Sequence, residues 1–184
     1  MKKVKYMTTV LIIIIIIYSS QEATARFKSV KCSSSNQTLG ADYKCFIRAY
    51  DRKVAKLSVL VTFEKHCYEA LFSFVASYKQ TTSRYYRTII NNTVDLCAYF
   101  GGTKNILIEW IINVIWKELP RSFLHPCPYF GPFPLHNITI NLEFFSNFPD
   151  GIYLVHLRFF NKNDSNMLTV DTVFEIKGTN LLNF

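Results

Sequence analysis

The sequence predicts a single mainly β domain that carries one α-helix. Three observations lead to it: period-two alternation of apolar and polar residues in several short segments, one segment with helical spacing between chain breakers, and an N-terminus and cysteine content suited to export.

The alternation is clearest at Leu57, Val59, Val61 and Phe63, which interleave with Lys56, Ser58, Thr62 and Glu64, Leu60 being the exception. A second run sets Tyr68, Ala70, Phe72, Phe74, Ala76 and Tyr78 against Glu69, Ser73, Ser77 and Lys79. Successive strand side chains point to opposite faces, so each run has one apolar and one mainly polar face. Ile138, Ile140, Leu142 and Phe144 repeat the pattern, as do Leu168, Val170, Phe174 and Ile176, with Thr172 on the inner side. Residues 152–160 are apolar on both faces, as expected of a central strand. Residues 27–33, 43–50 and 84–90 read as further strands.

The helix is expected over residues 103–119. Gly101 and Gly102 break the chain before it, Thr103 is placed to cap its first turn, and Pro120 ends it. Leu107, Trp110, Ile111, Val114 and Ile115 fall at helical spacing, and Ile106, Ile108, Ile112 and Trp116 make the segment apolar nearly all round. Such a helix is covered on more than one side, by sheet or as one wall of an apolar cavity. The proline-rich residues 120–134 read as a loop.

At the N-terminus, Lys2, Lys3 and Lys5 precede an apolar run from 10 to 18, and Ala23-Thr24-Ala25 follows. These are the three parts of a secretory signal. Nine apolar residues rise only about 13 Å as a helix, against roughly 30 Å of hydrocarbon, so a membrane anchor fits poorly. The expectation is a signal peptide over 1–25, a single domain over 26–184, no transmembrane segment, and a secreted, extracellular product. The formal net charge is +8, spread without a dense basic run. Nucleic acid is not an expected partner.

Export permits disulfides. Turn formers between strands 27–33 and 43–50 suggest a hairpin that sets Cys32 opposite Cys45, and Cys97 and Cys127 bracket the helix. Cys67 is left over, either as a buried small apolar residue or as a link to another chain. Asn36, Asn91, Asn137 and Asn163 head sequons and are candidate glycosylation sites.

No catalytic constellation is visible. The motifs G-x-S-x-G, H-E-x-x-H and the glycine-rich phosphate loop are missing, and His66, His125, His136 and His156 have no metal-ligand spacing. His66 and Cys67 are adjacent, so on a strand they point apart. Asp95, Asp150 and Asp171 stand apart from one another in the sequence, Asp95 in a turn and Asp150 in a turn with Gly151. The expectation is a protein that is not an enzyme and takes no cofactor and no metal. Aromatics make up 16% of the chain, with sixteen phenylalanines. Most serve a core. The surplus suggests an apolar pocket between sheets, with Phe63, Phe72, Phe74, Trp110, Phe144 and Tyr153 as its candidate wall.

An ordered set of short motifs adds to this reading: residues 27–32 (Phe-Lys-Ser-Val-Lys-Cys), Cys45, residues 93–97 (Thr-Val-Asp-Leu-Cys) with Tyr99-Phe100, Cys127-Pro128-Tyr129 with Gly131, and residues 148–153 (Phe-Pro-Asp-Gly-Ile-Tyr). With them the chain resembles a large insect family of small secreted proteins catalogued as a domain of unknown function. That family is related to the MD-2-related lipid-recognition (ML) domains and to chemosensory proteins of the ganglioside-activator type. The resemblance covers nearly all of residues 26–184, and Cys67 departs from its four-cysteine pattern. It implies an immunoglobulin-like β-sandwich that opens between its sheets for a lipid, hydrocarbon or pheromone-like ligand, and it adds no catalytic residue. Two functions follow as expectations: a secreted carrier or presenter of such an apolar ligand, with a cell-surface receptor as a further partner, or a glycoprotein that works through its outer surface without a small ligand.

Overall fold

The structure, a computed structural model, describes residues 24–34, 43–49, 55–115, 119–120, 123–139, 148–163 and 166–178. Eight strands and two helices follow one another: β1 (Thr24–Ser33), β2 (Lys44–Ala49), β3 (Ala55–Cys67), β4 (Leu71–Lys79), β5 (Arg87–Asp95), α1 (Leu96–Phe100), α2 (Ile106–Ile115), β6 (Tyr129–Ile138), β7 (Gly151–Phe160) and β8 (Asn166–Lys177).

The strands pair into two antiparallel sheets, one of five strands in the order β1-β8-β7-β4-β5 and one of three in the order β2-β3-β6. The result is an immunoglobulin-like β-sandwich, mainly β. Its core lies where the two apolar faces meet. Phe72, Phe74 and Ala76 of β4 are buried, as are Tyr153 and Val155 of β7 and Val170, Phe174 and Ile176 of β8. From the smaller sheet, Leu57, Val59 and Val61 of β3 face them. The period-two pattern thus becomes a buried face because each strand has one side to offer and the second sheet removes that side from water.

β1 and β2 do not form a hairpin. β1 pairs with β8 in the larger sheet and β2 with β3 in the smaller one. The Cys32–Cys45 bridge is present, but it joins the two sheets along one long edge of the sandwich. Cysteines of facing sheets meet the Cα separation that a disulfide needs as well as hairpin partners do, here 6.0 Å. The Cys97–Cys127 bridge joins α1, which follows β5, to the segment that leads into β6. It ties the sheets at one end of the opposite edge. Cys67 is unpaired and buried.

Three other expectations are corrected. The segment read as a proline-rich loop contains most of β6, which continues to Ile138. β6 is an edge strand, where a missing N–H leaves no central ladder broken, so Pro132 and Pro134 are tolerated. The strand read at 84–90 is β5, which starts at Arg87 and continues through Asn91, Asn92 and Thr93 to Asp95. That polar stretch is exposed at an edge and so lacks the alternation that marks a half-buried strand. The helix starts later than expected, at Ile106, and is described to Ile115, residues 116–118 lying outside the described residues; a second helix, α1, precedes it. Asn105, not Thr103, caps α2: its Oδ1 accepts from the Ile108 N–H at 3.1 Å. Asp95 caps α1, accepting from the Ala98 N–H at 2.9 Å. Of the strand read through Ile138, Ile140, Leu142 and Phe144, residues 140–147 lie outside the described residues.

Candidate apolar-ligand site

Between the sheets lies a cavity of about 230 Å³. Every strand of the sandwich except β2 contributes to its wall, and so do both helices. Its wall is apolar apart from Thr139, Thr172 and the two phenols of Tyr129 and Tyr153. Three of these hydroxyls are turned to backbone carbonyls. Tyr153 donates to Pro149 O at 2.7 Å, Tyr129 to His125 O at 3.1 Å and Thr172 to Ser29 O at 3.2 Å. Burial pushes both phenols well above the usual tyrosine range, with the neighbouring Cys67 adding to the shift at Tyr129 and Tyr78 and Asp150 at Tyr153. Both rings therefore stay neutral. An apolar cavity excludes water: one of roughly 150 Å³ stays dry and takes up benzene. This one is larger.

Five of the six residues picked from the sequence stand on the wall. Phe72 and Phe74 are buried on β4, Phe72 at 4.9 Å from the Phe159 ring. Trp110 of α2 meets Phe74 edge-on at 6.5 Å, which makes the helix one side of the cavity. Phe63 on β3 leans on Tyr129 at 6.5 Å. Tyr153 is 2% exposed and stacks on Phe174 at 5.2 Å. Phe144 lies outside the described residues.

Many wall residues were not picked from the sequence, and two groups among them are instructive. Tyr129 and Phe133 of β6 sit in the segment taken for a loop, and Leu135 directly follows it. Their signal was present, since they alternate at period two, but Gly131 interrupts it and the intervening prolines mask it. Ile89 and Ile90 are neighbours on β5 and yet both line the cavity. The pairing of β4 with β5 shifts by one residue there, with Ala76 opposite Ile90 and Ser77 opposite Thr88, which leaves Ile89 as an extra residue. Such a bulge redirects a side chain that strict alternation would send outward. Ile89 remains 44% exposed, so the wall reaches solvent at this edge.

Outside the cavity, His156 and Asp171 are not isolated. Facing each other on β7 and β8, they touch at 2.5 Å through Nδ1 and Oδ1 on the outer face of the larger sheet. Both are half-exposed. Among the described residues no three His, Cys, Asp or Glu side chains gather as a metal site. No described helix is long and apolar enough to cross a membrane. Asn91, Asn137 and Asn163 are all exposed, and Asn36 lies outside the described residues.

The sequence matches no protein-family model and none of the curated proteins. Among solved structures the chain is similar to chicken MD-1, crystallised in complex with lipid IVa. The identity is 16%, the match covers 85% of this chain and 99% of that one, and the TM-score is 0.37.

Proposed function

We propose that the chain is a secreted, non-catalytic binding protein that holds a lipid, hydrocarbon or pheromone-like molecule between its two sheets. The observation that carries this reading is the cavity itself: about 230 Å³, walled by both sheets and both helices, with the hydroxyls of Tyr129, Tyr153 and Thr172 directed to backbone. A ligand there gains from apolar burial and finds no charged group to orient it. The resemblance of the sequence motifs to secreted lipid-recognition proteins points the same way. Secretion rests on the leader read over residues 1–25. Its check is N-terminal sequencing of the exported protein, where a chain starting at or near Arg26 is expected and one starting at Met1 refutes the leader.

The test of binding uses the small wall residue Ala76, which is buried on β4. In Ala76→Phe the ring occupies cavity volume. Saturable binding of a fluorescent fatty acid is expected for the unaltered protein. The variant should lose at least tenfold in affinity while its melting temperature holds or rises. If the interior were solidly packed, the same ring would cost about 1–3 kcal/mol of stability. Absence of saturable binding in the unaltered protein, or unchanged affinity in the variant, overturns the reading.

A further inference from the structure

The hairpin joining β4 to β5 ends in a tip where aromatic rings and cations are exposed together. Tyr85 is 82% exposed and Tyr86 42%. Arg84 and Arg87 flank them and are exposed, and the Lys79 ammonium lies 5.1 Å from the Tyr86 ring centre. The tip is ordered by its own bonds. Ser83 N–H donates to Gln80 O at 3.0 Å, and the Ser83 hydroxyl both donates to Tyr85 O and accepts from Tyr85 N–H, each at 3.2 Å. Tyr85 is thereby held outward. From Lys79 to Val94 the sequence contains no acidic residue.

The neighbouring charges outside the tip cancel, two lysines against two acids, so Lys79, Arg84 and Arg87 set the sign of the tip. Lys28 and Lys177 lie at this end of the larger sheet, and Glu175 is shared between them. Asp150, the other acid nearby, accepts from the Gly178 N–H at 2.9 Å. Neither Arg84 nor Arg87 enters an ion pair among the described residues. The other exposed aromatics differ: Tyr68 and Phe130, with His66 stacked on Phe130, sit among two acids, Glu64 and Glu69, and two lysines, Lys65 and Lys162, a balanced set.

From this we infer that the 79–87 tip docks on an anionic lipid surface. Tyrosine rings sit well at the headgroup level of a bilayer, and basic side chains beside them are attracted by anionic lipids. A protein partner fits less well, because one hairpin tip offers far less than the roughly 800 Å² per side of a stable interface. The inference goes beyond the cavity: it concerns the surface at which the protein works. The two meet at β5, which leaves the tip and two residues later supplies Ile89 and Ile90 to the cavity wall.

The experiment is co-sedimentation of the intact secreted protein with phosphatidylcholine vesicles, with and without phosphatidylserine. Binding is expected only with phosphatidylserine and should fall as salt is raised. Each cation near such a surface is worth about a fivefold factor, so Arg84→Glu with Arg87→Glu should weaken binding about 25-fold or more. Tyr85→Ser should weaken it on the same vesicles. Lys65→Glu with Lys104→Glu makes the same change in net charge away from the tip and should bind as the unaltered protein does. Ala76→Phe should also bind vesicles normally, which separates this inference from that of the cavity ligand. Failure of the unaltered protein to bind phosphatidylserine vesicles, or equal loss in the two charge-reversed pairs, overturns it.

Discussion

Cys67 closes β3 with 4% of its surface exposed. Its thiol donates to Glu69 O at 3.2 Å and lies 3.6 Å from the Met167 sulfur. Burial pushes the thiol pKa up, the bond to Glu69 opposes that shift, and the Glu69 charge adds to it. A protonated, covered thiol is a poor nucleophile. A disulfide-exchange reagent should therefore leave the native protein unmodified and titrate one thiol per chain in denaturant, so rapid labelling of the native state would contradict the packing described. The sequence left open whether this cysteine is buried or linked to another chain. Its neighbour Met167 is 100 residues distant, and no local pattern announces such a partner. Caps were legible only in part for a similar reason. Asp95 was placed in a turn before Cys97 and caps α1 there, while the α2 cap was read at Thr103, directly after the Gly101-Gly102 break, and lies two residues on at Asn105.

The edge pairing of β1 with β8 illustrates how elements are held. Glu175 of β8 reaches Lys28 of β1 at 2.5 Å and Lys177 of its own strand at 2.9 Å. The hydrogen bonds from Lys28 and then Lys177 hold the Glu175 carboxyl below its ordinary value of 4.5, against a smaller opposing effect of burial. The sign follows. A carboxyl with a lowered pKa in the fold stabilises the protein above its unfolded value and loses that contribution as pH falls through the folded one. Both lysines are well exposed, so the contribution is about 1 kcal/mol or less. Denaturant midpoints should thus decline on acidification below about pH 4.5. Glu175→Gln should lower the midpoint slightly at neutral pH and flatten the decline, and an unchanged profile would remove Glu175 from the account. The central strands were readable, and so were the edge strands β1 and β2, read at 27–33 and 43–50. β3, β4, β7 and β8 bury a face and show it by alternation, with β7 apolar on both sides. Edge strands β5 and β6 were misjudged because an edge tolerates asparagine and proline that a central strand would reject. Close backbone approach was equally silent: a Cβ at Gly151 would stand 2.6 Å from Lys79 O, a constraint the sequence shows only as an Asp-Gly turn.

At the scale of the molecule, the sequence conveyed that there would be two sheets and an apolar interior with more rings than a filled core needs. It did not convey which strands share a sheet, and so it paired Cys32 with Cys45 for a hairpin that does not exist. The actual arrangement of the bridges has a mechanical meaning. One spans the β1–β2 edge, and the other spans the β5–β6 edge near the ends that face α1. All five cysteines are then accounted for, and none is left for the corner where β5 begins and β6 ends. That corner carries Ile89, Ile90, Leu135 and Ile138 on the cavity wall. Cys32 stands in register with Val170 and, across the larger sheet, with Asn92 near the end of β5, so both bridges leave that sheet toward its α1 end and the opposite end has no disulfide at either edge. In mechanical terms the sandwich is a pair of plates tied covalently toward one end and held by packing alone at the other. Under the proposed function, a longer hydrocarbon chain would part the sheets at the untied end while the bridged end keeps its spacing.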